Sequence, residues 1–265
     1  MADKSNKNKK ENLFIVRFLI VLLLLTCLPP LYAANLAIII DDIGYRQSDE
    51  AVLSLPANIT LSVLPHTPLG KRLALQGHKK GHEIMIHIPM QALSGNRLGP
   101  GALTSDMNEQ QIKSEISAAF NNIPFARGAN NHMGSLLTQL ENPMLWVMQS
   151  LKNKQAYFVD SMTTRFSKAS MQAKDVGVPL LQRQVFLDND VRLYALEKQF
   201  KQIITQAKQQ GSLVAIAHPY PETIAYLNAN LPRLRTNGIN LVNTSELLAV
   251  DIAKTYPTSS HQTLR

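Results

Sequence analysis

The chain has almost no cysteine: Cys27 is the single one in 265 residues, and it lies in the N-terminal segment. From Ala34 onward no disulfide is possible, and a domain of this size needs none, which suits an exported bacterial protein better than a small secreted animal domain. Long apolar runs are also missing. The longest, residues 18–28, is short of the ~18–20 residues that a membrane-spanning helix needs. No low-complexity block, internal repeat or nucleic-acid motif is present. Charged residues make up 17% and hydrophobic residues 45%, the balance of a globular chain long enough for one large barrel-type domain.

What stands at the N-terminus is a basic segment (Lys4, Lys7, Lys9, Lys10, Arg17), then the apolar run, then Pro29-Pro30 and the small residues of LYAA. This order reads as a secretory signal peptide over 1–33, with a mature start near Ala34 and the bacterial periplasm as destination; an uncleaved anchor is the alternative. Leu-Leu-Thr before Cys27 matches a lipoprotein box only weakly, because Thr26 sits where a smaller residue is expected. After cleavage no stable membrane span is expected. Loss of five Lys/Arg and two acids lowers the formal net charge from +8 to +5. That charge is compatible with an anionic envelope partner and equally with an ordinary solvated surface.

Beyond the leader, short β-rich runs alternate with helical patterns. Strands are expected at 36–40, 59–64, 83–88, briefly near Phe125, and at 156–159, 180–187, 213–217 and 239–242. Helices are expected at 69–79, 108–121, 143–153, 191–210, 221–230 and 245–253. Repeated strand-then-helix order argues for a parallel sheet with helices outside, and seven or eight units favour a distorted (β/α) barrel over an open sheet. One domain is expected over 34–256, with a disordered tail at 257–265.

Polar residues recur where these strands stop. Asp41 and Asp42 end IIIDD, His87 ends the third strand, His132 follows the run near Phe125, Asp160 closes FVDS, Asp188 closes VFLDND and His218 closes VAIAH. In a β/α barrel the C-terminal strand ends meet at one mouth, where catalytic groups sit. Each residue alone has a plainer reading. The aspartate pair could cap a helix, His87 could be a core histidine, His132 a loop residue and His218 structural, while Asp160 and Asp188 could simply fix loops. His66, His78, His82 and His261 are surface or packing residues by default.

LAIIIDDIGYR, GHEIMIHIPM, GANNHMGS, YFVDS, VFLDND and IAHPY, in this order, resemble the YibQ-type divergent polysaccharide deacetylases, within the polysaccharide deacetylase superfamily. The resemblance runs through the whole chain after the leader. It implies a polysaccharide deacetylase-like barrel, a divalent metal, usually zinc, and a glycan substrate of the cell envelope. It implies Asp41 as catalytic base, Asp42 and His87 as metal ligands, and His218 as general acid. The superfamily carries a second ligand histidine four positions after the first, where this chain has Gln91. His132 is the replacement ligand expected here, with Gln91, Asn131, Asp160 and Asp188 facing substrate or supporting the ligands.

The chemistry wants these residue types. One carboxylate and two imidazoles leave a zinc coordination position open, so that the ion can acidify water and polarise an acyl oxygen. A carboxylate that is not a ligand can take the water's proton, and a histidine can protonate the leaving amine near neutral pH. Neighbouring strand residues point to opposite faces, so Asp41 and Asp42 can serve one site only if the chain turns there, and Gly44 permits a turn. The rival reading is a catalytically silent carbohydrate-binding protein that keeps the fold; a third is a metal hydrolase acting on another bond, such as a peptide amide.

Overall fold

The computed structural model describes residues 34–255, and the expectations for the leader and for the tail beyond 255 lie outside the described residues. Nine strands form one wholly parallel sheet, hydrogen-bonded in the order β6-β5-β4-β3-β2-β1-β8-β7. The strands are β1 (Ala34–Ile43), β2 (Thr60–Val63), β3 (Ile84–Met90), β4 (Ala126–Met133), β5 (Tyr157–Asp160), β6 (Leu180–Gln182), β7 (Val185–Phe186) and β8 (Ser212–Ala217). The ninth, β9 (Ile239–Leu241), pairs with the first three residues of β1. The helices are α1 (Gly70–Lys79), α2 (Glu109–Asn122), α3 (Glu141–Asn153), α4 (Ala169–Val176), α5 (Leu193–Gln210), α6 (Pro221–Asn230), α7 (Pro232–Thr236) and α8 (Thr244–Thr255), with a 3-10 helix at Gln47–Ser54. None is long and apolar enough to cross a membrane.

The sheet curls into a distorted barrel whose seam lies between β6 and β7. One extended segment bridges it: β6 pairs with β5, the Arg183 amide donates to the Asp160 carbonyl, and then Gln184 turns to β8, its amide donating to the Val214 carbonyl. The Gln184 side-chain oxygen accepts the Val214 amide in return, 2.6 Å away. A single strand expected at 180–187 is therefore two short strands with different neighbours.

Two apolar layers follow from the two-residue strand period. Leu36, Ile38 and Ile40 of β1, and Ile84, Ile86 and Ile88 of β3, join the large core shared with helix residues such as Leu73, Ile112, Val147 and Phe200. Ala37, Ile39, Met85, Val159, Val214 and Ile216 form a smaller cluster among the strands, inside the barrel. The N-terminal end of that interior is closed by polar residues. The buried Glu83 carboxylate accepts from Tyr157 Oη at 2.8 Å, from the Ser245 amide at 3.0 Å and from Ser245 Oγ. A carboxylate at the start of α8 also meets the positive end of that helix. With this end sealed, chemistry is left to the C-terminal mouth.

Candidate metal centre and active site

Counting by two from the interior apolar residues leads directly to the mouth. Ile39 is followed on the same face by Asp41, Met85 by His87, Val214 and Ile216 by His218, and Phe186 by Asp188. On β4 the inward residues are Gly128, Asn130 and His132. Gly128 is needed there because a Cβ would lie 2.4 Å from the Tyr157 ring.

Asp42 has the wrong parity and reaches the site by breaking the strand geometry. Its φ is +59°, in the left-handed region, and the β1–β2 register slips between Ile40 and Ile43. The turn expected at Gly44 thus begins at Asp42 itself. Aspartate tolerates this region better than most residues, and positions of this kind concentrate at functional sites. Asp49 fixes the loop that follows: its Oδ2 accepts the amides of Gly44, Tyr45 and Arg46 at 2.9, 3.1 and 3.0 Å.

The bend brings Asp42 Oδ1 to 2.8 Å from His132 Nδ1 and 3.1 Å from His87 Nε2, while these two nitrogens are 3.1 Å apart. Asp42, His87 and His132 are the group of described residues whose ligand atoms converge tightly enough to hold one ion. Asp42 Oδ1 is buried, yet no well-aligned hydrogen bond reaches it. A carboxylate oxygen and two imidazole nitrogens converging within hydrogen-bond distance of one another suit a divalent cation in an oxygen and imidazole environment. Burial alone would raise the Asp42 carboxyl; the two histidines outweigh it and hold it far below the usual carboxylate range.

Behind this group lies Asn130, which the sequence reading passes over in favour of Asn131. Its Oδ1 accepts from Ser62 Oγ at 2.7 Å and from His87 Nδ1 at 2.7 Å, and its Nδ2 donates to both oxygens of Asp41, at 2.8 and 3.0 Å. Because His87 Nδ1 donates here, Nε2 carries the lone pair that faces the centre. Asp41 is buried on the floor of the site, 3.7 Å from His87 Nδ1 and clamped by the same Asn130. Burial lowers the His87 imidazole, but Asp41 and Asp42 together raise it.

The opposite wall holds His218. Its Nδ1 lies 2.8 Å from Asp188 Oδ1, its amide donates to Asp188 Oδ2 at 2.7 Å, and Thr223 Oγ1 donates to the same oxygen at 2.9 Å. Nε2 is thereby turned toward the centre, 4.0 Å from Asp42 Oδ2. Burial opposes protonation of this ring, yet the bond to Asp188 and the charges of Asp188, Asp41 and Asp42 carry its pKa up to about 9.

The remaining expected residues lie elsewhere. Gln91 Oε1 accepts the Ser105 amide at 2.6 Å and its backbone oxygen accepts the Leu136 and Leu137 amides, so it ties two mouth loops together. Asn131 and Asp160 have outward parity. Asn131 joins the Ser161 amide to the Met133 carbonyl, and Asp160 accepts the Met162 amide at 2.9 Å, with its carboxyl raised by burial. Arg183, another residue without an obvious sequence signal, bonds the Ser161 and Met162 carbonyls and feels the charges of Asp160 and Asp41.

A cavity of about 250 Å³ opens over this centre, lined by Asp42, Tyr45, Arg46, Asp49, His132, His218 and Tyr220 among others. The family model for divergent polysaccharide deacetylases matches residues 38–248, the whole interval from β1 to α8. The chain belongs to the divergent polysaccharide deacetylase family. A relative from Escherichia coli strain K12, the uncharacterized protein YibQ, is 40% identical over 226 residues, covering 85% of this chain and 70% of its own. One from Haemophilus influenzae is 37% identical over 215 residues, covering 81% and 76%. The crystal structure of the Agrobacterium tumefaciens C58 protein ATU2773 superposes with a TM-score of 0.78 at 21% identity, covering 83% of this chain and 91% of that one. That likeness supports the deacetylase barrel as the shared fold.

Proposed function

We propose that the protein is an exported hydrolase that removes acetyl groups from an envelope glycan with the help of a divalent cation, zinc being the expected one. The observation that carries the reading is the convergence of Asp42, His87 and His132 beside the Asp41 carboxylate and the His218 imidazole, in a chain of the deacetylase family. A cation on these three residues would supply Lewis-acid polarisation of the acyl oxygen and acidify water.

The chain's own groups divide the rest. His218, whose imidazole is held by Asp188 and raised above its ordinary pKa, is suited to donate a proton. Asp42 is taken up as a ligand. The proton of the attacking water therefore goes to Asp41, whose orientation Asn130 fixes. Water adds to the acyl carbon, the bond from that carbon to the sugar nitrogen or oxygen breaks, and His218 Nε2 protonates the departing amine or hydroxyl. The products are acetate and the deacetylated glycan.

The test is acetate release from acetylated glucosamine and muramic-acid oligomers by metal-supplied protein. Release that disappears on chelation and returns with the cation is the expected result. A protein that binds such oligomers and its metal but releases no acetate is instead a silent carbohydrate-binding module. The export half of the reading predicts that envelope-fraction protein starts near Ala34; a start at Met1 would make the leader a retained anchor.

A further inference from the structure

The cavity over the metal centre continues sideways into a second one of about 640 Å³, lined by Tyr45, Arg97, Leu98, Gly99 and His132. Tyr45 and His132 belong to both, so a chain-like ligand with one unit on the metal ligands runs naturally into the neighbouring space. An arginine lines each compartment, Arg46 the first and Arg97 the second. Among the described residues, neither guanidinium has a carboxylate within 4.0 Å, whereas Arg72, Arg192 and Arg233 are each paired with one. Arg165, on the loop after β5, is likewise unpaired and lies over the Phe166 ring.

Several acidic groups at the same mouth are already committed. Asp49 spreads its charge over three backbone amides, Asp188 is spent on His218 and Thr223, and Asp190 is bound by Arg192. Asp42 serves as a ligand. The rim thus presents free guanidinium groups, whose planar donor pairs match a carboxylate or phosphate.

We infer that Arg46 and Arg97 select an anionic glycan, one that carries a carboxylate or phosphate within about one sugar unit of its acetylated position. This rests on the reading of the cavity as the substrate site, and it names the class of substrate. Tyr45, half exposed and lining both compartments, supplies a ring face for the sugar that joins the anionic group to the acetylated unit.

The experiment measures binding by calorimetry to metal-supplied protein, with three acetylated oligosaccharides of equal length: neutral, uronate-bearing and phosphorylated. A preference of at least tenfold for one or both anionic probes is expected, weakening as salt rises and lost in the double variant R46Q/R97Q. Which anionic probe is preferred tells carboxylate from phosphate. Equal affinity for neutral and anionic probes, no binding of any probe, or a preference that survives in R46Q/R97Q would overturn the inference. Metal content of the double variant, expected to equal wild type, shows that the site is intact. Acetate release is scored separately: anionic preference without release contradicts the hydrolase and leaves the selection standing, while release without preference does the reverse.

Discussion

His218 and Asp188 are the residues whose chemistry is most exposed to test. Against the effect of burial, Asp188 with the charges of Asp41 and Asp42 raises the imidazole to about 9, so the acid form dominates below that pH and is lost above it. Activity that depends on this acid should fall as pH rises through about 9. Asp188→Asn removes the charge and weakens the bond to Nδ1, and the alkaline limb should move down toward the ordinary histidine value near ~6.5. A pH–rate profile of the variant with an unmoved limb would assign the limb to another group. The same linkage acts on stability: a raised pKa contributes stability present below the unfolded value and lost as pH rises through about 9. Asp41→Asn should keep its metal and lose on the order of 10²–10⁴-fold in rate, as expected for a missing general base. Metal content and turnover measured on one preparation decide this. Much of the site was legible one residue at a time, because histidines and aspartates at strand ends are conspicuous. Asn130 was not, since an asparagine beside another asparagine carries no signal until inward parity is counted from Gly128 to His132.

Elements explain which of those residues could meet. Parity carries Asp41, His87, His132, Asp188 and His218 to one mouth and sends Asn131 and Asp160 the other way, and the left-handed turn at Asp42 is the local exception. β4 was the element hardest to read. ARGANNHM lacks the β-branched and aromatic residues that mark a strand, yet it is paired on both sides, by β3 and β5, and its middle is wholly buried. The short α4 and α7, with few residues to show a period, were also missed, as was the 3-10 helix at Gln47–Ser54. Gly128→Ala tests the β4 account. The added methyl would press on Tyr157, whose hydroxyl holds Glu83 at the sealed end, and overpacking of this kind typically costs about 1–3 kcal/mol. The denaturant midpoint should fall accordingly, and an unchanged midpoint would mean that the strands can part at no cost.

Over the described residues the domain is a barrel sealed by a polar plug at one end and open at the other over the cluster of Asp42, His87 and His132. Its alternating strand and helix order made that architecture readable in advance, while the seam at Arg183 and Gln184 depends on contacts between distant segments that no local pattern contains. The chemistry at the mouth depends on Asp42, His87 and His132 holding one metal ion. Metal content of purified wild-type and His132→Ala proteins, dialysed against the same divalent cation, tests it most directly. About one tightly held ion per wild-type chain is expected, as three protein ligands suit a catalytic site, with a large loss of occupancy in the variant. Full occupancy without the His132 imidazole would contradict it.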